Sequence, residues 1–164
     1  MLKAGDTAPV FILPDADMET VDLAGYRGKK HVVLFFYPRD GTPSCTLEAT
    51  DFSDHEEAFA RQGCVVFGIN RDDCIRHAAF RDEHGIAIRL LSDSDGRVCR
   101  QYGVWQAKEV DGVKKHGIIR STFVIDKEGI LRFAFYGSNA KGHALEVLRA
   151  VKELDSSKNL PSRE

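Results

Sequence analysis

Apolar and polar positions along this chain fall into short blocks that switch repeatedly between the two-residue period of strands and the longer period of helices. Val10 to Leu13 and Thr20 to Leu23 flank a polar turn at Pro14 to Met18, a pattern that predicts a short N-terminal hairpin. His31 to Tyr37 reads as a buried strand. From Thr42 to Arg61 the pattern is helical, with Cys45, Ala49, Phe52 and Phe59 on one face and Gly63 as the C-terminal cap. A strand over Cys64 to Ile69 follows, and Asp72 and Asp73 can cap a helix that Gly85 ends after His84. A short strand at Arg89 to Leu91 and a short helix at Val98 to Tyr102 come next.

Arg120 to Ile125 and Ile130 to Tyr136 read as strands joined by a tight turn at Asp126 to Gly129. The closing helix, His143 to Leu154, places Leu145, Leu148, Val151 and Leu154 at helical spacing, so one stripe is expected to be buried. The order outlines a thioredoxin-like α/β fold, a central mixed sheet with helices on both faces. One domain over 1–155 and a polar tail over 156–164 are expected, since no linker or repeat interrupts the pattern.

With 43% hydrophobic and 29% charged residues, the composition is that of a folded globular protein. A formal net charge of -2 gives no electrostatic reason to expect nucleic acid or an anionic membrane as partner. Lys3 and Asp6 interrupt any apolar leader, and the longest apolar stretch, Val32 to Tyr37, is too short to span a bilayer. Cysteines at 45, 64, 74 and 99 show neither C-x-x-C nor metal-ligand spacing, so a reducing cytosol is the expected compartment. His55, His77, His84 and His116 do not pair with them as zinc ligands would and are expected at the surface.

The chemistry-bearing segment begins where the strand His31 to Tyr37 ends. Thr42 suits a helix N-cap and Pro43 the first helical position, so Cys45 falls in the first turn, where free N–H groups and the helix dipole favour an anion. Making the thiolate dominant at neutral pH needs roughly 3 kcal/mol, and a helix terminus supplies up to about 2 kcal/mol. A nearby cation or donor must provide the rest, and Arg120, at the head of an apolar strand, is the candidate. The bland readings are an inert core cysteine and a solvated arginine.

Pro38, Thr42 and Cys45 reproduce the P-x-x-x-T-x-x-C signature of peroxiredoxins. Thr42-Pro43, Cys45-Thr46 and Glu48 further resemble the PrxQ, or bacterioferritin comigratory protein, subfamily, as do Tyr102-Gly103-Val104-Trp105 and Arg120-Ser121-Thr122-Phe123. The likeness runs from Lys3 to about Leu154. It implies a peroxiredoxin-type fold without metal or haem, in which Cys45 reduces hydrogen peroxide or an organic hydroperoxide through a sulfenic acid. Thr42 would then bond the peroxide, Arg120 stabilise the thiolate, Pro38 shield the pocket and Glu48 orient Arg120. It also implies a monomer.

Turnover needs a second thiol. Many PrxQ proteins place it five residues after the first, where this chain has Thr50; another group places it at a position that aligns with Arg81. Cys74 lies seven residues before Arg81 and is the internal candidate, while Cys64 and Cys99 fit core packing. The other route is an external thiol: thioredoxin, glutathione, glutaredoxin or another reductant. The rival functions are a thioredoxin-like thiol-disulfide oxidoreductase, which would want a C-x-x-C pair where Glu48 stands, and a non-catalytic binding or chaperone module.

Overall fold

Every residue of the apolar run from His31 to Phe36 is buried, as a strand covered on both faces requires. The computed structural model describes residues 1–138 and 142–158. In chain order it has β1 (Ile12–Pro14), β2 (Thr20–Asp22), β3 (His31–Phe36), α1 (Pro43–Asp54), α2 (Glu56–Arg61), β4 (Cys64–Asn70) and α3 (Cys74–His84). There follow β5 (Arg89–Ser92), α4 (Arg97–Gln101), β6 (Trp105–Val110), β7 (Val113–Ile118), β8 (Ser121–Ile125), β9 (Leu131–Tyr136) and α5 (His143–Lys158).

The central sheet has the order β5-β4-β3-β8-β9. β3, β4 and β5 run parallel, joined by helical crossovers, whereas β8 lies antiparallel to both β3 and β9. Val32, Leu34 and Phe36 of β3 enter a core with Leu13, Val98 and Tyr102, so the N-terminal hairpin and α4 cover that face. Val33, Phe35 and Tyr37 enter the opposite core with Phe52, Phe59, Phe80 and Val151 from α1, α2, α3 and α5. The expected mixed sheet, flanked by helices and preceded by a hairpin, is the observed fold.

Three elements and one side chain differ from the sequence reading. The helix expected over Thr42 to Arg61 breaks at His55, whose Nδ1 bonds the Asp51 carbonyl at 2.8 Å and whose backbone N–H turns to Phe52. That carbonyl is the one an unbroken helix would give to the His55 N–H. The closing helix runs past Leu154 to Lys158, and Leu145 points outward while Ala144, Val147 and Leu148 are buried. Of the expected tail, 159–164 lie outside the described residues. The hairpin β6–β7 has no counterpart in the sequence reading. His77, expected at the surface, is fully buried because it bonds Asp40 and the Leu91 carbonyl.

Position 68 in β4 has no room for a Cβ unless a neighbouring side chain shifts. A Cβ there would stand 2.7 Å from Phe35 Cζ and 3.0 Å from Leu90 Cδ2. The Phe35 ring is held against such a shift, because it stacks on Phe52 at 4.6 Å and packs against Tyr37 at 5.4 Å. Gly68→Ala should therefore destabilise the protein by about 1–3 kcal/mol, the usual cost of overpacking a core. Urea unfolding checks this, and an unchanged midpoint would show that the core can relax.

Candidate active site

The strand register decides which side chains meet. Phe36 at the end of β3 stands opposite Ser121 at the start of β8, so Arg120 falls at the same sheet edge as the loop that leads into α1. That edge is the carboxyl end of β3 and β4, where ligand sites of such sheets collect. Thr42 caps α1 from an extended conformation, with its Oγ1 accepting from the Cys45 N–H at 3.4 Å and its carbonyl accepting from the Thr46 N–H at 2.8 Å. Because Oγ1 is the acceptor in that bond, the Thr42 hydroxyl proton stays free for another partner. Pro43 occupies the first turn, as the sequence suggested.

Cys45 is only 1% exposed and packs in the core beneath α1, but its sulfur has a cationic neighbour. Nη2 of Arg120 approaches its Sγ at 3.4 Å, and Nη1 of the same guanidinium donates to Glu48 Oε1 at 2.7 Å. Glu48 lies one turn after Cys45 on the same helix face and is fully buried. Burial pushes its carboxyl up to about 7, against the opposing pull of Arg120. Its Oε2 has no hydrogen-bond partner among the described residues. Pro38 is half-buried on the wall of an open cleft beside the loop.

The loop itself is pinned by groups that the sequence reading passed over. Asp40 accepts from Tyr37 Oη at 2.6 Å and Asn70 Nδ2 at 3.3 Å, and its other carboxylate oxygen meets His77 Nδ1 at 2.6 Å. His77 Nε2 lies 3.0 Å from the Leu91 carbonyl, which only accepts, so that nitrogen carries a proton. The Asp40 backbone N–H donates to Asp72 at 2.7 Å. Burial, followed by Asp40, holds the Tyr37 phenol well above its ordinary range. The buried tyrosine and the aspartate three residues on were the available signal, but a charged residue in a loop reads as solvated until its partners are known.

The structure thus brings Cys45, Thr42, Arg120 and Glu48 into one cluster with Pro38 beside it, and leaves the other cysteines apart. Cys64 and Cys99 are buried in the two cores, and burial pushes both thiols up. Cys74 starts α3, with its sulfur beside Asp15 and Ser92, on the β5 side of the sheet. Burial raises its thiol too, and the neighbouring Asp15 and Asp73 add to the effect. Arg81 pairs with Asp17 at 2.9 Å and clips α3 to the turn of the N-terminal hairpin. All four cysteines are free, and no cluster of three or more potential metal ligands occurs among the described residues.

A thioredoxin-like sheet that presents a helix-capped cysteine to an arginine has the build of a peroxiredoxin. Residues 4–134 match the AhpC/TSA family, to which the chain belongs. Peroxiredoxin Bcp of Bacillus subtilis is 39% identical over 153 residues, covering 93% of this chain and 97% of its own. PrxQ of Xylella fastidiosa, solved as a cysteine-to-serine mutant, superposes with a TM-score of 0.89 at 30% identity, over 94% of this chain and 98% of its own. The bacterioferritin comigratory protein of Xanthomonas campestris gives 0.83 at 33% identity, over 88% and 91%. The protein is a thiol-dependent peroxidase of the Bcp, or PrxQ, group.

The Glu48 carboxyl generates a pH prediction. Its folded value, about 7, lies above the ordinary 4.5, so the folded state keeps a proton that the unfolded chain releases between those limits. Stability from this group is complete below about 4.5 and is lost as pH rises towards 7. Glu48→Gln, which cannot ionise, should gain on the wild type by up to about 3 kcal/mol more at pH 8 than at pH 4. Thermal unfolding at the two pH values checks this, and a constant difference would refute it.

Proposed function

We propose that Cys45 is the cysteine that reduces peroxide. Its thiolate attacks one oxygen of the substrate, the O–O bond breaks, and the departing oxygen takes a proton to leave as water or an alcohol. Cys45 is left as a sulfenic acid. The 3.4 Å approach of Arg120 to Sγ carries this reading, because the guanidinium stabilises the thiolate and then the charge gathering on the leaving oxygen. Thr42 offers its free hydroxyl proton to the bound peroxide. Glu48 aims the guanidinium through a charge-assisted bond, and Pro38 shields the site.

Hydrogen peroxide and organic hydroperoxides are the proposed substrates; alkyl peroxide reduction is ascribed to the Xanthomonas relative. Resolution falls to an external thiol. Cys74 stands beside Asp15, Asp73 and Ser92, and its thiol is raised by burial and by those aspartates, which makes it a poor attacking thiolate. Thioredoxin, glutaredoxin and glutathione are the candidate reductants. Four free thiols suit a reducing cytosol, and no helix of the described residues is long and apolar enough to cross a membrane. Apart from Val110 and Val113, which pair at the tip of the β6–β7 hairpin, exposed large apolar residues such as Leu47, Ile75 and Leu145 lie on separate helices, which supports a monomer.

Cys45→Ser should abolish peroxide consumption in a reductant-coupled assay, while Cys64→Ser and Cys99→Ser retain most of it. Arg120→Met should lower the second-order rate of Cys45 oxidation by about 100-fold or more, the scale set by loss of a preorganised charge-stabilising donor. Equal losses in all the cysteine variants would point to folding damage and away from this mechanism. Intact-protein mass spectrometry after one equivalent of peroxide should show an added oxygen, whereas a Cys45–Cys74 disulfide would replace external resolution with an internal one.

A further inference from the structure

The β6–β7 hairpin helps to enclose an open cleft of about 630 Å³, a size suited to a small-molecule ligand. Pro38 and Arg39, from the loop before Cys45, form part of its wall. The charge of the cleft is one-sided. Arg39, Arg71, Arg76, Lys108 and Lys115 line it against a single carboxylate, Asp72, among the described residues, in a chain whose net charge is -2.

Two of these cations are engaged. Arg76 pairs with Asp72 at 3.6 Å, and Arg71 stacks over Trp105 at 4.7 Å while donating to the Ser94 carbonyl. Arg39, Lys108 and Lys115 have no ion-pair partner among the described residues. The Lys108 side chain lies over Gly117 of the facing strand, its Cδ 3.6 Å from where a Cβ would stand. Burial pushes its ammonium down, with Arg120 and Arg39 adding to the effect and the nearby Cys45 opposing it. Like charges gathered without counter-charges repel one another, and an incoming anion relieves that repulsion.

Given the reading of Cys45 as the peroxide-reducing cysteine, the half-reaction for which this chain places no partner is resolution. Hydrogen peroxide is small and neutral and makes no use of a wide cationic cleft. We infer that the cleft binds a low-molecular-weight thiol bearing carboxylates, of the glutathione class, and delivers its sulfur to the oxidised Cys45. The incoming thiolate forms an S–S bond to Sγ as the S–O bond breaks, and the released hydroxide takes a proton and leaves as water. A second thiolate then attacks the sulfur of the first thiol in that mixed disulfide. Two thiols are thereby oxidised to one disulfide, and Cys45 returns as its thiolate.

Stopped-flow kinetics test this on the full chain oxidised with one equivalent of hydrogen peroxide, with dimedone trapping used to verify the sulfenic acid at Cys45. Trp105, the one tryptophan in the chain, lines the cleft and serves as the fluorescent reporter. Reduced glutathione should react about tenfold faster than neutral 2-mercaptoethanol at equal thiolate concentration, and the advantage should shrink in high salt. Lys115→Glu should slow glutathione about fivefold, whereas Lys114→Glu, which faces away in the strand alternation but alters net charge equally, should not. Equal rates for the two thiols, or equal effects of the two substitutions, overturn the inference while leaving Cys45 as the peroxidatic residue. A charge preference confined to oxidation by a carboxylate-bearing hydroperoxide also overturns it. If neither a dimedone adduct nor a disulfide forms at Cys45, the peroxidase assignment of that residue fails and this inference fails with it, whereas a Cys45–Cys74 disulfide overturns the inference alone.

Discussion

One guanidinium, shared between a carboxylate and a sulfur at the edge of a sheet, holds this active site together. Arg120 spans Glu48 Oε1 at 2.7 Å and Cys45 Sγ at 3.4 Å, and both partners come from a single helix face. A planar fork suits that task, since it presents parallel donors at fixed spacing where a lysine would offer a point charge. The geometry follows from the antiparallel placement of β8. Had β8 run parallel to β3, the residue preceding it would lie at the opposite edge of the sheet, remote from α1. A half-buried cation of this kind is costly unless engaged, so the sulfur and the carboxylate matter to Arg120 as it does to them.

The second constraint is the network around Asp40. Its carboxylate meets Tyr37, Asn70 and His77 in a space almost closed to water, and His77 spends its remaining nitrogen on the Leu91 carbonyl. In this way the loop before Cys45 is fastened to α3 and β5, and not merely to its own strand. A donor or acceptor left alone in such a place costs about 1–3 kcal/mol, so the network opens as a unit or stays closed. The same fastening ties the loop to the first turns of α3, the helix that Cys74 begins.

Most of the sheet and the position of Cys45 were legible because they depend on local rules. Unbroken apolar runs, Thr42 before Pro43 and the aspartates ahead of α3 each act within a few residues. What stayed hidden depends on partners distant in sequence. His77 looks like any polar helix residue until Asp40, 37 residues earlier, is brought beside it. The break at His55 turns on one ring nitrogen taking one carbonyl. The β6–β7 hairpin buries little on its strands and so lacks the apolar alternation of a half-buried sheet, yet its turn did carry a signal. Asp111 and Gly112 both take positive φ, at 52° and 78°, which a two-residue Asp-Gly turn favours.

Glu48 shows why the cluster stops short of full neutralisation. A carboxylate with both oxygens engaged would hold its charge firmly and compensate much of the guanidinium, leaving less positive field for the sulfur. Here Oε1 alone is bonded, Oε2 finds no partner among the described residues, and burial brings the carboxyl to about 7. The orienting bond survives while the opposing charge is weakened, because a protonated carboxyl still accepts through its carbonyl oxygen. The Arg120 fork therefore faces a sulfur on one side and, on the other, a carboxyl that burial biases toward its neutral form.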